Sequence, residues 1–173
     1  SVVSMSFNRN KRSISIDLKK SEGVALIRRM AAQTDIVLES FRPGVMDKLG
    51  VGFAALQEIN PGLIFGSVSA YGQTGPWRDK AGVDGIVQAV SGLMSNIGDA
   101  TSPPMKVLVP AVDMVTGFIS TSSVLAALRV RDATGKGQHL DFSLYNSALM
   151  LQLSAVASYL SSGELPLRTG TAA

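Results

Sequence analysis

The chain has 173 residues, of which 46% are hydrophobic and 17% charged, and its formal net charge is +3. This length suffices for one domain with a sizeable core, and the composition is typical of a folded soluble protein and excludes disorder. Cysteine is absent, which excludes disulfides and thiol catalysis. Polar residues interrupt the longest apolar stretches, so we expect no membrane span. No basic segment is followed by an apolar one in the manner of a signal peptide, so we expect none. A cytoplasmic location fits these features.

Positive charge is concentrated near the start of the chain, in a cluster formed by Arg9, Lys11, Arg12, Lys19 and Lys20. Such a cluster suits a phosphate-bearing ligand. It is also typical of a solvated basic face, which would be favoured if the cluster stood alone. We expect no nucleic-acid partner, because aromatic residues make up only 6% of the chain and do not interleave with basic runs.

Strands and helices are predicted to alternate along the first half of the chain. Residues 13–18 alternate apolar and polar side chains, which predicts a strand, and Ser21 would then cap a helix that runs to about Ala32. The next predicted elements are a short strand at 35–39, a turn and short helix at 42–50, a short helix at 52–59 and a buried strand at 62–72.

The second half continues the alternation. Its predicted elements are a helix at 83–97, a turn at 99–104, a long helix from about Val112 to Asp132, a strand at 138–144 and a helix from Tyr145 to Ser161. The long helix is apolar nearly all round, which predicts that it is buried. The alternation indicates an α/β fold with a mainly parallel sheet.

Asp113 is the most informative residue, because it stands between an apolar run and the start of the long helix. An unpaired carboxylate is costly to bury, so an aspartate in this setting usually has a specific role. The N-terminal end of a helix would stabilise its charge. From composition alone, capping of the helix is the favoured role and catalysis is the alternative.

Cofactor sites are not indicated by the motifs. One histidine, no cysteine and no acidic cluster with ligand spacing predict no metal site. No GxGxxG motif follows a predicted strand, so a nicotinamide or flavin is not implied.

Five stretches together carry a specific signal, namely FNRNKRSISIDLK at 7–19, ESFRPGVMDKLG at 39–50, SAYGQTGP at 69–76, VLVPAVDMVTG at 107–117 and GKGQHLDFSL at 135–144. In this order and spacing, the chain closely resembles the family III CoA-transferases of the CaiB–BaiF type. The resemblance implies a Rossmann-like large domain in a subunit of an interlocked homodimer. It also implies that residues 1–173 are part of that large CoA-binding domain, without the family's N-terminal strand and loop and its C-terminal portion.

The resemblance implies transfer of CoA from an acyl-CoA donor to a small carboxylic acid acceptor, with CoA as a substrate and no tightly bound cofactor. Asp113 falls at the family's catalytic aspartate, which would form a mixed anhydride and then an aspartyl-CoA thioester. Asp84 matches an acidic position near the active site. It would orient the substrate or the thioester carbonyl, or else cap the helix predicted at 83–97.

CoA-binding positions carried over from the family are Ile16, Leu18, Lys19, Ser40, Phe41 and Lys48. The apolar and aromatic side chains would pack against adenine, and the two lysines would meet phosphates. Ser40 replaces a common asparagine and Lys48 a frequent arginine, and lysine lacks the planar fork of arginine.

The same superfamily includes 2-methylacyl-CoA racemases, which use a histidine thirty positions before the aspartate. Val83 occupies that position here, where transferases often carry tyrosine, and the single histidine, His139, lies beyond Asp113. The proton-transfer pair of a racemase is therefore incomplete, which favours a transferase. A racemase-like isomerase and a truncated, non-catalytic CoA-binding protein are the alternatives.

Overall fold

The computed structural model describes residues 6–170, which form a mixed α/β fold around a small parallel sheet. Strand β1 is Ile36–Glu39, β2 is Ile64–Ser69 and β3 is His139–Ser143. Strand β2 lies between the other two and pairs with both in parallel. Its first four residues are buried, as expected for a central strand with both faces covered. The prediction of an α/β fold with a parallel sheet is confirmed.

The α-helices of the described residues are α1 Ser21–Ala31, α2 Val45–Lys48, α3 Phe53–Gln57, α4 Asp84–Val90, α5 Ala111–Thr134, α6 Leu144–Leu151 and α7 Leu153–Ser162, and a 3₁₀ turn follows α4 at Leu93–Asn96.

Two helices that were predicted to be continuous are interrupted. The helix predicted at 83–97 ends before Gly92, whose φ of 83° lies in the left-handed region. The helix predicted from residue 145 to residue 161 breaks at the buried Gln152. The Gln152 amide donates to the carbonyl of Ser91 at 2.8 Å and accepts from Asn96 at 2.8 Å. These bonds hold the interruption against the end of α4.

Two apolar clusters form the core. The first lies under α1 to α3 and consists of Ala31, Val51, Leu56, Leu63 and Phe65. The second joins α4, α5 and α6 and consists of Ala70, Val87, Leu93, Val112, Leu144 and Ala148. Full burial of a large apolar side chain contributes roughly 1.5–3 kcal/mol. The second cluster matters for function because it fixes the start of α5 against the start of α4.

The strand predicted at residues 13–18 is wrong. This segment has no regular secondary structure and is largely exposed. A strand needs a neighbour that accepts its backbone hydrogen bonds, and none of the three strands within residues 6–170 lies beside it. The predicted cap also shifts by one residue. Lys20 precedes α1, whereas Ser21 is its first residue and donates to Glu22 at 3.1 Å.

Helix α5 is less buried than its apolar sequence predicted. Several of its apolar side chains are open to solvent in the described part of the chain, including Phe118, which is 71% exposed, Leu125 and Val130. An 18-residue window of this helix has a mean hydropathy of 1.5 and is 28% buried. Length and apolarity alone would allow α5 to cross a membrane, contrary to the sequence-based expectation. The core helix of a soluble protein has the same two properties, so they do not by themselves indicate a membrane span.

Candidate active site

The buried carboxylate of Asp84 caps the helix that carries Asp113. Asp84 is the first residue of α4 and is 8% exposed. Its Oδ2 accepts hydrogen bonds from the N–H groups of Val112, at 2.9 Å, and Asp113, at 3.0 Å, in the first turn of α5. Pro110 precedes α5 and has no side-chain acceptor, so a carboxylate from another helix supplies the cap. Asp84 therefore caps α5 rather than its own helix.

Gln88 holds the second oxygen of this carboxylate. Its side chain is fully buried, and its Nε2 donates to Asp84 Oδ1. Its Oε1 accepts from the N–H of Val107 at 2.9 Å, in the extended segment that leads into α5. A buried amide whose nitrogen and oxygen are both hydrogen-bonded fixes its neighbours, because breaking either bond would leave a buried polar group without a partner. Gln88 thus joins α4, the segment before α5 and the cap of α5 into one network.

The carboxylate of Asp113 has no hydrogen-bond or ion-pair partner within residues 6–170, and only its backbone N–H is bonded, to Asp84. Asp113 is the third residue of α5, so it is not the helix cap. The side chain reaches solvent, yet its partial desolvation raises its pKa, and the negative charge of Asp84 raises it further. An unpartnered carboxylate with a raised pKa retains lone pairs that can attack an electrophile.

Asp113 opens into a polar cavity of about 380 Å³. The turn after β1 and the loop before α4 form its walls, and the ends of β2 and the start of α6 close it. Its charged and polar lining residues are Ser40, Arg42, Ser69, Arg78, Lys80, Asp84 and Asp113. The cavity lies beyond the carboxyl ends of parallel strands, where ligands of α/β sheets usually bind.

An apolar groove of about 580 Å³ meets the polar cavity at Asp113. Val68 and Leu144 line both spaces together with Asp113. The groove continues along the exposed face of α5 and past β1, where it is lined by Ile36, Leu38, Thr116, Gly117, Ser120, Thr121, Val124, Leu125 and Leu128. Asp113 therefore lies at the boundary between a charged space and an apolar one.

The structure brings together only some of the predicted site residues. Asp84, Ser40 and Phe41 line the cavity of Asp113, with Phe41 46% exposed. Ile16 lines a separate concavity beside α1, and Lys48 is exposed at the end of α2.

Neither of the other two predicted CoA contacts is among the residues that line the cavity of Asp113. Leu18 is half-buried and Lys19 is exposed, in the loop before α1.

Sequence reasoning missed four residues of this site. They are Arg42, Arg78, Lys80 and Gln88. The three basic residues stand in loops, where a charge is usually solvated, so their sequence positions gave no signal. Gln88 lies four residues after Asp84 on a helix, a spacing that places both on one face and that could have indicated the bond.

His139 does not take part in this site. Its Nε2 lies 2.9 Å from the Oγ of Ser67, and its ring stacks on Phe53 with centroids 5.1 Å apart. These contacts indicate a structural role for His139. Among residues 6–170, no group of three or more His, Asp or Glu side chains is placed to hold a metal ion.

Comparison with known proteins identifies the family. The sequence model of CoA-transferase family III matches residues 1–173. The succinate–glutarate CoA-transferase of Agrobacterium fabrum is 42% identical over 165 residues, which are 95% of this chain and 41% of that protein. The succinyl-CoA–D-citramalate CoA-transferase of Chloroflexus aurantiacus is 40% identical over 162 residues, which are 94% and 40% of the two chains.

A crystal structure of a CaiB/BaiF family protein from Brucella suis has the same fold, with a TM-score of 0.90 and 39% identity over 94% of this chain and 43% of that chain. This chain spans about two fifths of the length of the relatives that it matches. The match over all 173 residues and the shared fold lead to one conclusion: the chain belongs to CoA-transferase family III.

Proposed function

We propose that the complete protein transfers coenzyme A between carboxylic acids, with Asp113 as the covalent nucleophile. One observation carries this proposal. The carboxylate of Asp113 is unpartnered among residues 6–170, and it projects from the first turn of a helix into a polar cavity. Relatives that transfer CoA to or from succinate, glutarate and citramalate support the reaction class.

In the first half of the reaction, an Asp113 carboxylate oxygen attacks the carbonyl carbon of the acyl-CoA thioester. The carbon–sulfur bond breaks, CoA leaves as a thiolate, and the product is a mixed anhydride of Asp113 and the donor acid. The thiolate then attacks the Asp113 carbonyl carbon. The donor acid leaves as a carboxylate, and Asp113 is held as an aspartyl-CoA thioester.

In the second half, a carboxylate oxygen of the acceptor acid attacks the aspartyl thioester and again releases CoA thiolate. The thiolate attacks the acceptor's carbonyl carbon in the resulting mixed anhydride. This step forms the new acyl-CoA and regenerates the Asp113 carboxylate. No net proton transfer is needed, and none of the described residues that line the cavity of Asp113 is a histidine.

The role of Asp84 follows from its hydrogen bonds. It binds backbone N–H groups at the start of α5 and the Gln88 amide, so both of its oxygens are occupied by the protein. We assign to it the positioning of Asp113 rather than direct contact with the thioester carbonyl. This assignment narrows the role expected from the family resemblance.

Ser40 and Phe41 line the same cavity as Asp113, which supports a role for both in binding the substrate. We assign these two residues to the part of CoA that is nearest to the thioester. The exposed Lys19 and Lys48 lie outside the cavity, where they would contact the more distant phosphates.

The structure supports a transferase over a racemase. Val83 lines the cavity of Asp113 and is 64% exposed, so the position that holds histidine in the racemases carries a side chain that cannot accept a proton. His139 is bonded to Ser67 instead. A racemase would exchange the hydrogen next to the thioester carbonyl with solvent, so deuterium incorporation in D₂O would argue against this assignment.

The decisive experiment traps the intermediate. The complete protein is incubated with an acyl-CoA, treated with hydroxylamine or borohydride, and mapped by mass spectrometry. We expect the modification on Asp113, its loss in Asp113→Asn, and its retention in Asp132→Asn, an exposed acid at the far end of α5. CoA binding without an adduct from any acyl-CoA would reject the covalent mechanism and favour a non-catalytic CoA-binding protein.

Three further properties stay predictions. They are an interlocked homodimer, which light scattering of the complete protein would test, a cytoplasmic location, and the absence of nucleic-acid and membrane partners. We likewise propose that residues 1–173 are part of the large CoA-binding domain of the complete protein.

A further inference from the structure

The first turn of α5 offers few N–H groups that its own aspartate, Asp113, could bind. An acidic side chain at the third position of a helix often bonds back to the N–H of the residue that precedes the helix. That residue is Pro110, which has no N–H. The N–H of the next residue, Ala111, donates to the carbonyl of Val109 at 2.8 Å. The donors that remain in this turn are the two N–H groups that follow.

Two carboxylates can therefore compete for the N–H groups of Val112 and Asp113. Asp84 holds both of them, at 2.9 and 3.0 Å from its Oδ2. It reaches them from a different helix, so the backbone of α5 does not keep it in place. Asp113 is carried by the turn itself, and aspartate side chains readily bond to N–H groups in their own stretch of backbone.

Gln88 fixes the orientation of the Asp84 carboxylate. Its side chain is fully buried, and its Nε2 donates to Oδ1, the oxygen that does not cap α5. Its Oε1 accepts from the N–H of Val107 at 2.9 Å. A flipped amide would place its oxygen against the Asp84 oxygen and its NH₂ against the Val107 N–H, so both bonds would be lost. The amide is therefore held in one orientation, and Oδ2 of Asp84 stays directed at α5.

We propose that Gln88 is a positioning residue for the transfer reaction, because it holds Asp84 on the first turn of α5 and so keeps the Asp113 carboxylate free to attack. This inference rests on the proposed function. Gln88 is not among the described residues that line the cavity of Asp113, so it acts through Asp84. The raised pKa of Asp113 agrees with this role, because its causes are desolvation and the charge of Asp84, whereas N–H donors would lower it.

The experiment measures the single-turnover rate of adduct formation on Asp113 in the complete protein, across a range of pH. Gln88→Met removes the amide and keeps a side chain of similar length. Gln152→Met is the matched control, because Gln152 is also a buried glutamine whose nitrogen and oxygen are both bonded, to Ser91 and Asn96 at 2.8 Å each. Titration calorimetry with CoA measures binding separately and shows that each variant is folded.

We expect Gln88→Met to slow adduct formation by about 10- to 100-fold, the rate factor that corresponds to a hydrogen bond to a charged group. Its affinity for CoA should stay close to that of the wild type. The pH at which the rate is half-maximal should fall, because N–H donors lower the pKa of Asp113. Gln152→Met should show neither kinetic change, although the loss of its two bonds should lower Tm as well.

Gln88→Glu provides a second test through pH. The protonated side chain can still donate to Asp84 and accept from the Val107 N–H, whereas the ionised one repels the Asp84 carboxylate. Its rate relative to that of the wild type should therefore fall as pH rises. The other charged groups that line the cavity with Asp84 or flank Val107 are the same in both proteins, so this ratio isolates the new glutamate; they are Arg42, Arg78, Lys80, Lys106 and Asp113.

A slower reaction in Gln88→Met with an unchanged half-maximal pH would overturn the inference in favour of a packing role for this side chain. An equal loss of rate in Gln152→Met would overturn it in favour of general destabilisation. Unchanged rates in both Gln88 variants would show that Asp84 keeps its place without the amide. Absence of an adduct in the wild-type protein would instead reject the covalent function, and this inference with it.

Discussion

Replacement of Asp84 tests whether a carboxylate from α4 holds the start of α5. Asp84→Ala would remove the acceptor of three donors, namely the N–H groups of Val112 and Asp113 and the amide of Gln88. The Val112 N–H and the Gln88 amide are buried, and a buried donor without a partner costs roughly 1–3 kcal/mol. The Asp113 N–H is less buried and can bond to water.

The expected local destabilisation is about 3 kcal/mol, because relief of the desolvated Asp84 charge and entry of water offset part of the loss. That energy corresponds to about a 100-fold change in an opening equilibrium. Hydrogen exchange of a peptide covering residues 107–117 measures this opening directly and does not require two-state unfolding of the whole protein.

Asp84→Asn should give a smaller change, because asparagine keeps one acceptor oxygen and nearly the same volume. Asp79→Ala is the matched control, since this aspartate is 86% exposed and caps no helix. Unchanged exchange of the 107–117 peptide in Asp84→Ala would refute the capping role. A larger effect from asparagine than from alanine would show that packing, rather than the missing acceptor, decides the stability of this turn.

The remaining predictions concern pH and backbone packing. Because the pKa of Asp113 is raised in the folded protein, its protonated form favours folding, and this stability is lost as pH rises from the ordinary value of 3.8 through the raised folded value. Asp113→Asn should therefore raise the apparent Tm near neutral pH. A difference in Tm between variant and wild type that stays the same from pH 3 to pH 7 would contradict this. Hydroxyl and backbone donors of the following residues lower the pKa of Asp99 to about 2. The contribution of Asp99 to folding stability is therefore present above its ordinary pKa and lost as pH falls through about 2. NMR titration of the carboxyl carbon should show this low pKa, and an ordinary value would rule out the loop geometry. A Cβ on Gly137 would overlap the backbone carbonyl of Leu63, whereas one on Gly62 would meet its nearest atom at 3.5 Å. Gly137→Ala should therefore lower Tm and Gly62→Ala should not. Equal effects of the two variants on Tm would show that the turn relaxes freely.

Much of the fold could be predicted from local pattern, because short apolar runs between turn residues formed the three strands where they were expected. The failure at residues 13–18 is instructive. Their alternation is as clear as that of a true strand, but alternation fixes only the two faces of a segment. Whether a segment becomes a strand depends on a neighbour that supplies hydrogen bonds, and no neighbour is present within residues 6–170. Pairing is a non-local property that a single segment cannot encode.

The site shows the same division between local and non-local information. Asp113 was found because an aspartate next to an apolar run is unusual within one stretch of sequence. Asp84 was considered as a cap of its own helix, but its capping of α5 was missed. The two hydrogen bonds join residues that are 28 and 29 positions apart, and such a separation gives no local signal. Arg42 and Arg78 were missed because exposed loop arginines are common, and only the folded chain shows that they share one cavity.

The capping by Asp84 also explains why Asp113 can be a nucleophile. The first N–H groups of a helix attract any nearby carboxylate, and an acidic third residue often bonds back to the start of its own helix. Here the N–H groups of the first turn are already bonded to Asp84. The Asp113 carboxylate is therefore left without donors from the part of the chain that the structure describes. It lies at the boundary between an apolar groove that limits its hydration and a polar cavity that can admit a charged substrate. A carboxylate that gave its lone pairs to the helix would attack a thioester less readily, so the second aspartate supports the reaction by occupying those donors in its place.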